Sequence, residues 1–145
     1  MEDPNFRKVK RYLILIFFFS IFSTSLFSQD FKFKKIVKLN NPWGSSFIND
    51  NELIITEKSG KIKIIDINSQ KISNIEHNLN YLDHGQGGLL DILYKENFIY
   101  ISYSENRGEW KSSTSIAKAR LEKNKLNFKN IFQANPPIES GYHFG

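Results

Sequence analysis

The stretch Glu52–Asp66, which reads ELIITEKSGKIKIID, decides the fold of this chain. It contains two short runs rich in Ile, and the second run alternates apolar and polar residues as a half-buried β-strand does. The three residues KSG separate the runs, and Gly60 provides the positive φ that a tight turn requires. The stretch therefore predicts an antiparallel hairpin of strands at 52–57 and 61–66.

Turn residues and apolar runs continue this hairpin into a meander. Residues 66–70 (DINSQ) predict a second turn, because Asp, Asn and Ser side chains hydrogen-bond to their own backbone. A short outer strand is predicted at 71–75. Three or four strands in meander order then form one unit.

A second stretch, beginning at Gly88, repeats this plan. Strands are predicted at 88–93, 98–104 and 114–121, with a turn at 95–97, a longer loop at 105–113 and a closing segment at 125–128. An offset of 45 residues aligns Trp43 with Gly88, Phe47 with Ile92 and Ile55 with Tyr100. Four-stranded propeller blades recur at roughly 40 to 50 residues, so the repeat predicts two blades.

Two alternatives to this interpretation stay open at the sequence level. Residues 114–121 (TSIAKARL) contain good helix formers, and only the meander context favours a strand there. A complete small sandwich of seven or eight strands would also show strands at this spacing. Because two blades alone cannot close a ring, the propeller interpretation predicts that the chain is incomplete.

Residues 1–28 have the pattern of a signal peptide. Four basic residues, Arg7, Lys8, Lys10 and Arg11, precede an apolar run of 11 residues, Tyr12–Phe22. A membrane-spanning helix needs about 20 apolar residues, so cleavage is expected, either before Gln29 or after the small residues Ser23 and Ser25. The preferred position, after Ser28, leaves residues 29–145 as a periplasmic or secreted domain that meets the membrane only through the signal segment during export. An uncleaved anchor is the alternative.

Composition excludes several classes of protein. The chain has no Cys, so it has neither disulfides nor thiolate metal ligands. The formal net charge is +5 and its basic residues are spread along the chain, which does not predict a nucleic-acid interface. With 40% hydrophobic and 24% charged residues, the composition is that of a folded protein rather than a disordered one.

Three segments, in order, resemble a known family. They are NPWGSSF (41–47) followed by LIITE (53–57) and Gly60, then GQGGLLD (85–91), and finally HFG (143–145). They are similar to the soluble quinoprotein glucose dehydrogenases and bacterial aldose sugar dehydrogenases, also called glucose/sorbosone dehydrogenases. The resemblance covers 39–145. It implies an all-β fold, the N-terminal part, about two blades, of a six-bladed β-propeller.

The resemblance also implies a chemistry. In the family, pyrroloquinoline quinone lies over the central groove with calcium nearby, and the sugar's anomeric hydroxyl gives its proton to a histidine while hydride passes to the quinone. Gln86 resembles the glutamine that contacts the quinone, and His143 resembles the general base. The family motif continues past His-Phe-Gly into another Gly and an Arg-Leu strand, and the further arginine, asparagine, lysine and calcium-binding positions have no counterpart here. We therefore expect no metal ligands in this chain, and no activity from it alone.

The residue types fit these two roles. Imidazole, whose ordinary pKa is about 6.5, is well matched to accepting a hydroxyl proton near neutral pH. Gly141 and Gly145 flank His143 and allow its backbone to approach a ligand. Gln86 lies between glycines, and its amide offers both a donor and an acceptor to quinone oxygens. The alternatives are an ordinary loop histidine and a Gly-rich turn.

Other residues near these motifs carry weaker signals. Asp83 and His84 lie beside Gln86, and they either line the same opening of the propeller as Gln86 or are simple loop residues. Asp91, inside a strand, is either a ligand or a hydrogen-bonding group of the blade, and the structural role is favoured. Trp43 and Trp110 are candidates to stack on a sugar, although Trp43 beside Pro42 is more typical of blade packing. His77 has no informative neighbour.

Two functions from different classes follow from this sequence. The first is an exported, quinone-dependent oxidoreductase acting on small aldose sugars. The second is a non-enzymatic propeller that serves as an extracellular binding module, since fold alone does not determine function. A calcium-dependent lactonase on a similar propeller would need several carboxylates converging on one metal, and this sequence has no such cluster.

Overall fold

The computed structural model describes residues 8–10, 12, 31–122 and 124–144. By compactness the chain divides into residues 1–34 and 35–145. Apart from four helical residues, at 8–10 and 12, the predicted signal segment 1–28 lies outside the described residues. Within the described ranges, no helix has the length and apolarity needed to cross a membrane.

The described part of residues 35–145 is built from β-strands. Nine strands follow in chain order: β1 Pro42–Phe47, β2 Glu52–Glu57, β3 Lys61–Asp66, β4 Ile72–His77, β5 Leu89–Lys95, β6 Phe98–Asn106, β7 Ser112–Arg120, β8 Lys125–Leu126 and β9 Lys129–Gln133. They form two sheets, in the orders β1-β2-β3-β4-β8 and β5-β6-β7-β9. We call them the first and the second blade. The segment 114–121 is a strand, so the helical alternative is wrong.

The hairpin of the first blade has the predicted bounds. Leu53 pairs with Ile65 and Glu57 pairs with Lys61 in an unbroken antiparallel register. The Gly60 N–H donates to the Glu57 carbonyl at 2.9 Å, and Gly60 has φ of +93°. Such a φ is accessible to glycine at little cost, which explains why the turn is so short.

Apolar side chains from both blades share one core. Ile54, Ile62, Leu89, Ile99 and Ile101 are all at most 1% exposed, and burial stabilises each by roughly 1.5–3 kcal/mol. Strand β5 of the second blade contacts β1 and β2 of the first. The two sheets therefore pack on each other as neighbouring blades do.

Buried hydroxyl groups add directional bonds between the blades. The Thr56 hydroxyl, fully buried on β2, donates to the Leu90 carbonyl on β5 at 2.6 Å and accepts the Gly44 N–H at 2.9 Å. The Ser46 hydroxyl on β1 accepts the Tyr94 N–H of β5 at 3.0 Å. Such bonds fix how one blade lies against the other, because a buried polar group left unpaired costs about 1–3 kcal/mol.

The prediction that residues 125–128 close the second blade was wrong. Strand β8 instead pairs in parallel with β4, at the outer edge of the first blade, and β9 is the fourth strand of the second blade. Leu126 is fully buried and Phe128 is 6% exposed, both in the shared core. Asn78 fixes the crossing by donating to the Phe128 carbonyl at 3.1 Å and accepting its N–H at 2.7 Å. The segment therefore joins the two blades to each other.

The offset between the blades also differs from the predicted 45 residues. Ser45 pairs with Ile55 and Ile92 pairs with Ile101, so the equivalent positions lie 47 residues apart on β1 and β5 and 46 apart on β2 and β6. A β-bulge in each inner strand, at 42–45 and at 89–92, disturbs the regular register. Because a slip of one residue exchanges the two faces of a strand, the predicted alignment of Ile55 with Tyr100 matched residues on opposite faces. Strands β6 and β7 are also longer than predicted, which shortens the loop between them to 107–111.

Charged and polar side chains stabilise the two blades differently. On the first blade the fully buried Glu57 accepts bonds from Lys63 Nζ at 2.7 Å and the Asn40 N–H at 2.8 Å. Burial opposes ionisation of Glu57, but these two donors outweigh it and lower its pKa. On the second blade Tyr103 Oη donates to Asn130 Oδ1 at 2.7 Å, and burial raises the pKa of Tyr103.

Candidate functional site

The structure brings together the two residues that the sequence analysis proposed for the site. Gln86 and His143 lie 57 residues apart in the chain, yet the His143 backbone N–H donates to Gln86 Oε1 at 3.4 Å. The Gln86 backbone N–H donates to the Gly141 carbonyl at 2.6 Å. Both side chains are exposed to solvent. They therefore lie side by side on the surface, where a ligand can reach them.

Glycines allow the Gln86 loop to approach the His143 segment this closely. Gly85 has φ of +58°, and a Cβ at this position would lie 2.3 Å from the Gly141 carbonyl oxygen. Gly88 has φ of +132°, and its Cβ would lie 2.1 Å from the Lys58 carbonyl oxygen. A larger residue at either position would have to move the backbone, so the Gly-x-Gly-Gly sequence is needed for the packing as well as for the turn.

A buried serine and an ion pair hold the loop in place. The Ser104 hydroxyl, fully buried on β6, donates to the Leu82 carbonyl at 2.7 Å and accepts the Gly88 N–H at 2.6 Å. Asp83 forms an ion pair with Lys58 of the β2–β3 turn, so its role is to tether the loop to the first blade. Ser104 was not predicted from the sequence, because a serine inside a strand carries no signal of its partners.

The backbone at His143 is held in an uncommon conformation. His143 has φ of +66°, in the left-handed region that residues other than glycine occupy infrequently. The next residue, Phe144, is 8% exposed, and its carbonyl accepts the Thr114 hydroxyl at 3.1 Å. Residues held this way are frequent at ligand sites, where surrounding contacts compensate for the strain. Gly145, the other predicted flanking glycine, lies outside the described residues.

A small pocket beside Gln86 contains two further residues from the sequence analysis. It encloses about 210 Å³ and is lined by Trp43, Gln86, Leu90, Asp91, Ser102 and Phe144. Trp43 is 53% exposed. Asp91 Oδ1 accepts the Ile92 N–H at 2.9 Å, within the bulge of β5, and the Asp91 N–H donates to the Ser102 hydroxyl at 3.1 Å. Asp91 thus stabilises the bulge, and its exposed carboxylate also faces this pocket.

The remaining candidates divide between a neighbouring cleft and the blade itself. His84 and Trp110 line a cleft next to the Gln86 loop, with ring centroids 6.3 Å apart. The His77 Nε2–H donates to the Gly60 carbonyl at 2.8 Å and the ring packs against Tyr81, so His77 supports the first blade. In the described part of the chain, no three His, Cys, Asp or Glu residues are grouped to hold a metal ion. Calcium is therefore still only implied by the resemblance.

A five-stranded and a four-stranded sheet thus pack as neighbouring blades, as in a β-propeller, and the Gly-rich loop lies at one end of them. The sequence profile of the family "Glucose / Sorbosone dehydrogenase" matches residues 39–145. The chain belongs to this family. The fold prediction is confirmed, and the two sheets are two neighbouring blades of the family's six-bladed propeller.

Individual relatives agree with this assignment. The chain is 30% identical over 117 residues to the aldose sugar dehydrogenase YliI of Escherichia coli (strain K12), a match that covers 74% of this chain and 32% of the relative. The structure of the soluble E. coli aldose sugar dehydrogenase in its apo-form superposes with a TM-score of 0.67 at 30% identity, covering 74% of this chain and 33% of that one. This chain therefore spans about a third of the length of these relatives.

A cofactor-bound structure is also similar in fold. The PQQ-bound form of the aldose sugar dehydrogenase from Streptomyces coelicolor superposes with a TM-score of 0.60 at 19% identity, and the match covers 68% of this chain and 32% of that one. At this level of identity, the likeness concerns the fold alone.

Proposed function

We propose that this chain is the N-terminal part of an exported aldose dehydrogenase that depends on pyrroloquinoline quinone. The observation that carries the proposal is the contact between Gln86 and His143. The resemblance gives these two residues complementary roles, as quinone contact and general base. Roles of this kind require two residues at one point, and the Gln86 side chain contacts the His143 backbone although 57 residues separate them.

The residues around Gln86 fit a planar, oxygen-rich cofactor. Gln86 Oε1 is engaged by the His143 N–H, so its amide NH₂ is the group directed to carbonyl or carboxylate oxygens of the quinone. The adjacent pocket supplies the aromatic rings of Trp43 and Phe144. The quinone also carries carboxylates, and the acidic Asp91 beside Gln86 would repel them. Cations for these carboxylates, and the calcium ligands, would come from residues after Gly145.

When bound, the quinone supplies the hydride acceptor. The His143 imidazole accepts the proton of the anomeric hydroxyl as the hydride leaves C1 with its electron pair, so that the sugar becomes a lactone. Gln86 orients the reactants through its amide. The His143 backbone is held by its bond to Gln86 and by the buried Phe144 next to it, which limits the positions that the base can take before reaction.

We further propose that residues 1–28 direct export and are removed after Ser28. The mature protein would then begin at Gln29 in the periplasm or outside the cell. Mass spectrometry of the exported protein tests this directly. A mature N-terminus at Gln29 supports it, whereas an intact N-terminus in the membrane fraction favours the uncleaved anchor.

The experiment for the catalytic proposal uses the complete protein that contains this chain. The apo-protein is titrated with the quinone and calcium, and aldose-dependent reduction of a dye is followed. We expect activity in the wild type and a loss of about 10²–10⁴-fold in His143→Ala, because this is the usual contribution of a general base. His77→Gln, which changes a histidine of the first blade, is the matched control and keeps the activity.

Two outcomes would contradict the proposal in different ways. A folded complete protein that neither binds the quinone nor oxidises any aldose would leave the binding-module alternative. Activity that survives in His143→Ala would instead mean that another residue is the base.

A further inference from the structure

The excess of positive charge beyond the signal segment lies in one short stretch. Residues 31–38 read FKFKKIVK and contain four lysines and no acidic residue. Residues 39–145, which match the family, contain 12 basic and 12 acidic residues, so their formal charges cancel. Basic residues occur throughout the chain, but only in these eight residues do they clearly outnumber acidic ones. We call residues 31–38 the basic segment.

The lysines of the basic segment are accessible to a partner. Residues 31–38 all belong to the described part of the chain, and none of them lies in a helix or a strand. Four of the exposed side chains are those of Lys32, Lys34, Lys35 and Lys38. Like charges this close along the chain repel one another, and a negatively charged surface relieves that repulsion. The segment therefore favours an anionic partner.

Exposed aromatic rings among the lysines narrow the class of partner. Phe31 is 79% exposed and Phe33 is fully exposed, so neither ring contributes to the core of the described structure. An acidic polysaccharide would engage the lysines and leave both rings in water. A phospholipid surface engages both kinds of side chain, because phosphate groups lie beside an apolar layer. The alternation of Phe and Lys therefore favours a lipid surface.

The position of the basic segment in the chain brings it close to a membrane. Only eight residues, 23–30, separate it from the apolar run that ends at Phe22. Each predicted cleavage position also keeps the segment in the exported protein. The residues that follow an export signal meet the membrane surface as the chain crosses, so the basic segment reaches lipid before the rest of the domain does.

We propose that the basic segment binds the exported protein to an anionic phospholipid surface. The four lysines donate to phosphate oxygens of the lipid, and the Phe31 and Phe33 rings enter the boundary between headgroups and acyl chains. Each lysine near such a surface raises the affinity about fivefold, so four of them contribute on the order of 10²–10³-fold. Charge and two rings together give reversible attachment, which is weaker than that of a spanning helix.

This binding extends the sequence-based expectation, in which the chain meets the membrane only through its signal segment. It is also independent of the proposed catalytic function, because none of its residues belongs to the site of Gln86 and His143. The attached protein would remain folded outside the cytoplasm, with its neutral domain facing away from lipid charge.

The first test is sedimentation of the complete protein, without residues 1–28, together with lipid vesicles. Vesicles of phosphatidylglycerol mixed with phosphatidylcholine are compared with vesicles of phosphatidylcholine alone. We expect binding to the anionic vesicles and at least a tenfold loss of affinity, in order of magnitude, at about 1 M salt, where the Debye length is only about 3 Å. Equal binding to both kinds of vesicle, or binding that salt does not weaken, would overturn the proposal.

Matched variants then locate the binding. Replacing the four lysines of the basic segment by Gln should lower the affinity for anionic vesicles about 10²–10³-fold. The control replaces four exposed lysines elsewhere by Gln and changes the net charge equally, at Lys71, Lys95, Lys111 and Lys125. It should change the affinity by less than about fivefold, the effect of one lysine at the surface. Equal losses would mean that overall charge, rather than the segment, binds the lipid.

The aromatic part of the proposal has its own variant. Phe31→Ser together with Phe33→Ser keeps every charge and removes both rings. We expect the affinity for anionic vesicles to fall about tenfold or more, because two apolar side chains no longer enter the lipid. An unchanged affinity would contradict insertion of the rings and would leave an interaction with soluble polyanions as the better account.

The last test needs only the wild type, so it does not depend on whether a variant folds. Hydrogen exchange of the basic segment is measured in the complete protein with and without anionic vesicles. We expect fast exchange in the free protein and protection of residues 31–38 when vesicles are added. Protection that is already present without vesicles would mean that the segment packs on the rest of the protein, and this result would overturn the proposal. Vesicle-induced protection confined to residues 39–145 would overturn it as well.

Discussion

The two blades follow the same strand plan but differ where the site lies. In the first blade, β2 and β3 have six residues each and are joined by the three-residue turn 58–60. In the second, β6 and β7 have nine residues each, the loop 107–111 carries Trp110, and the segment that leads to His143 packs on this end. The comparison shows that the strands supply the shared core, while the longer end of the second blade holds the candidate site through Ser104 and Thr114.

The blades also differ in how deeply they bury an acidic side chain. The first buries Glu57 completely against Lys63. The second keeps Glu105 partly exposed, where it accepts bonds from Ser115, Asn130 and Gln133. The first blade should therefore be sensitive to loss of one partner, whereas the edge of the second should tolerate substitution.

The largest expected effect tests the buried pair. Lys63→Met removes the cation and leaves the buried Glu57 carboxylate with the Asn40 N–H as its remaining hydrogen-bond donor, which should lower the free energy of unfolding by about 3–5 kcal/mol. Lys95→Met, which changes an exposed lysine at the end of β5, is the control and should change it by less than about 0.5 kcal/mol. Urea unfolding measures both. Equal effects of the two substitutions would show that the pair does not stabilise the first blade.

The same pair predicts a pH dependence. Burial disfavours the charged form of Glu57, but the bonds from Lys63 and Asn40 lower its pKa below the ordinary value of 4.5. A lowered folded-state pKa means that the stabilisation is present above pH 4.5 and is lost as the pH falls through the folded value. Glu57→Gln should therefore show a weaker loss of stability on acidification than the wild type. A parallel pH profile for the two proteins would contradict this.

A smaller effect tests the packing of the site loop. In Gly85→Ala the new Cβ would meet the Gly141 carbonyl, so the loop must move and the contact between Gln86 and His143 is lost. We expect a cost of about 1–3 kcal/mol in stability together with a fall in quinone affinity of the complete protein. Gly108→Ala also has positive φ but meets nothing within 4 Å, so it separates backbone strain from the clash. Equal losses of quinone affinity would remove the special role of Gly85.

The smallest effect concerns a hydrogen bond between the buried Tyr103 of β6 and the edge strand β9 of the second blade. Tyr103→Phe removes the bond from Tyr103 Oη to Asn130 and should cost about 0.5–1.5 kcal/mol. Thermal unfolding of the variant measures this cost. A loss as large as that of Lys63→Met would mean that the two blades do not differ in their tolerance.

The sequence predicted well those features that depend on local pattern. The hairpin of residues 52–66 has the predicted bounds because alternation and the turn glycine act locally. The strand β8 was assigned to the wrong blade, since only burial of Leu126 and Phe128 in the shared core decides which edge it joins. The bulges of the two inner strands also left no signal in the pattern of apolar residues.

The candidate site was predicted from resemblance rather than from spacing. Gln86 and His143 lie on separate loops, and nothing in their separation of 57 residues indicates that they meet. The roles of Ser104 and Lys58, which hold the Gln86 loop, depend on tertiary contacts that the sequence does not display. The exposure of Trp110 likewise depends on the left-handed backbone of its loop.

The most direct test of the central claim, that Gln86 and His143 act on the same bound ligands, is a double-mutant cycle. The kcat/KM for aldose oxidation by the complete protein is measured for the wild type, Gln86→Ala, His143→Ala and the double variant. We predict a coupling free energy of at least about 1 kcal/mol, because residues that share a site are not additive. Additivity within about 0.3–0.5 kcal/mol would contradict the claim, since it is the behaviour of distant, independent positions.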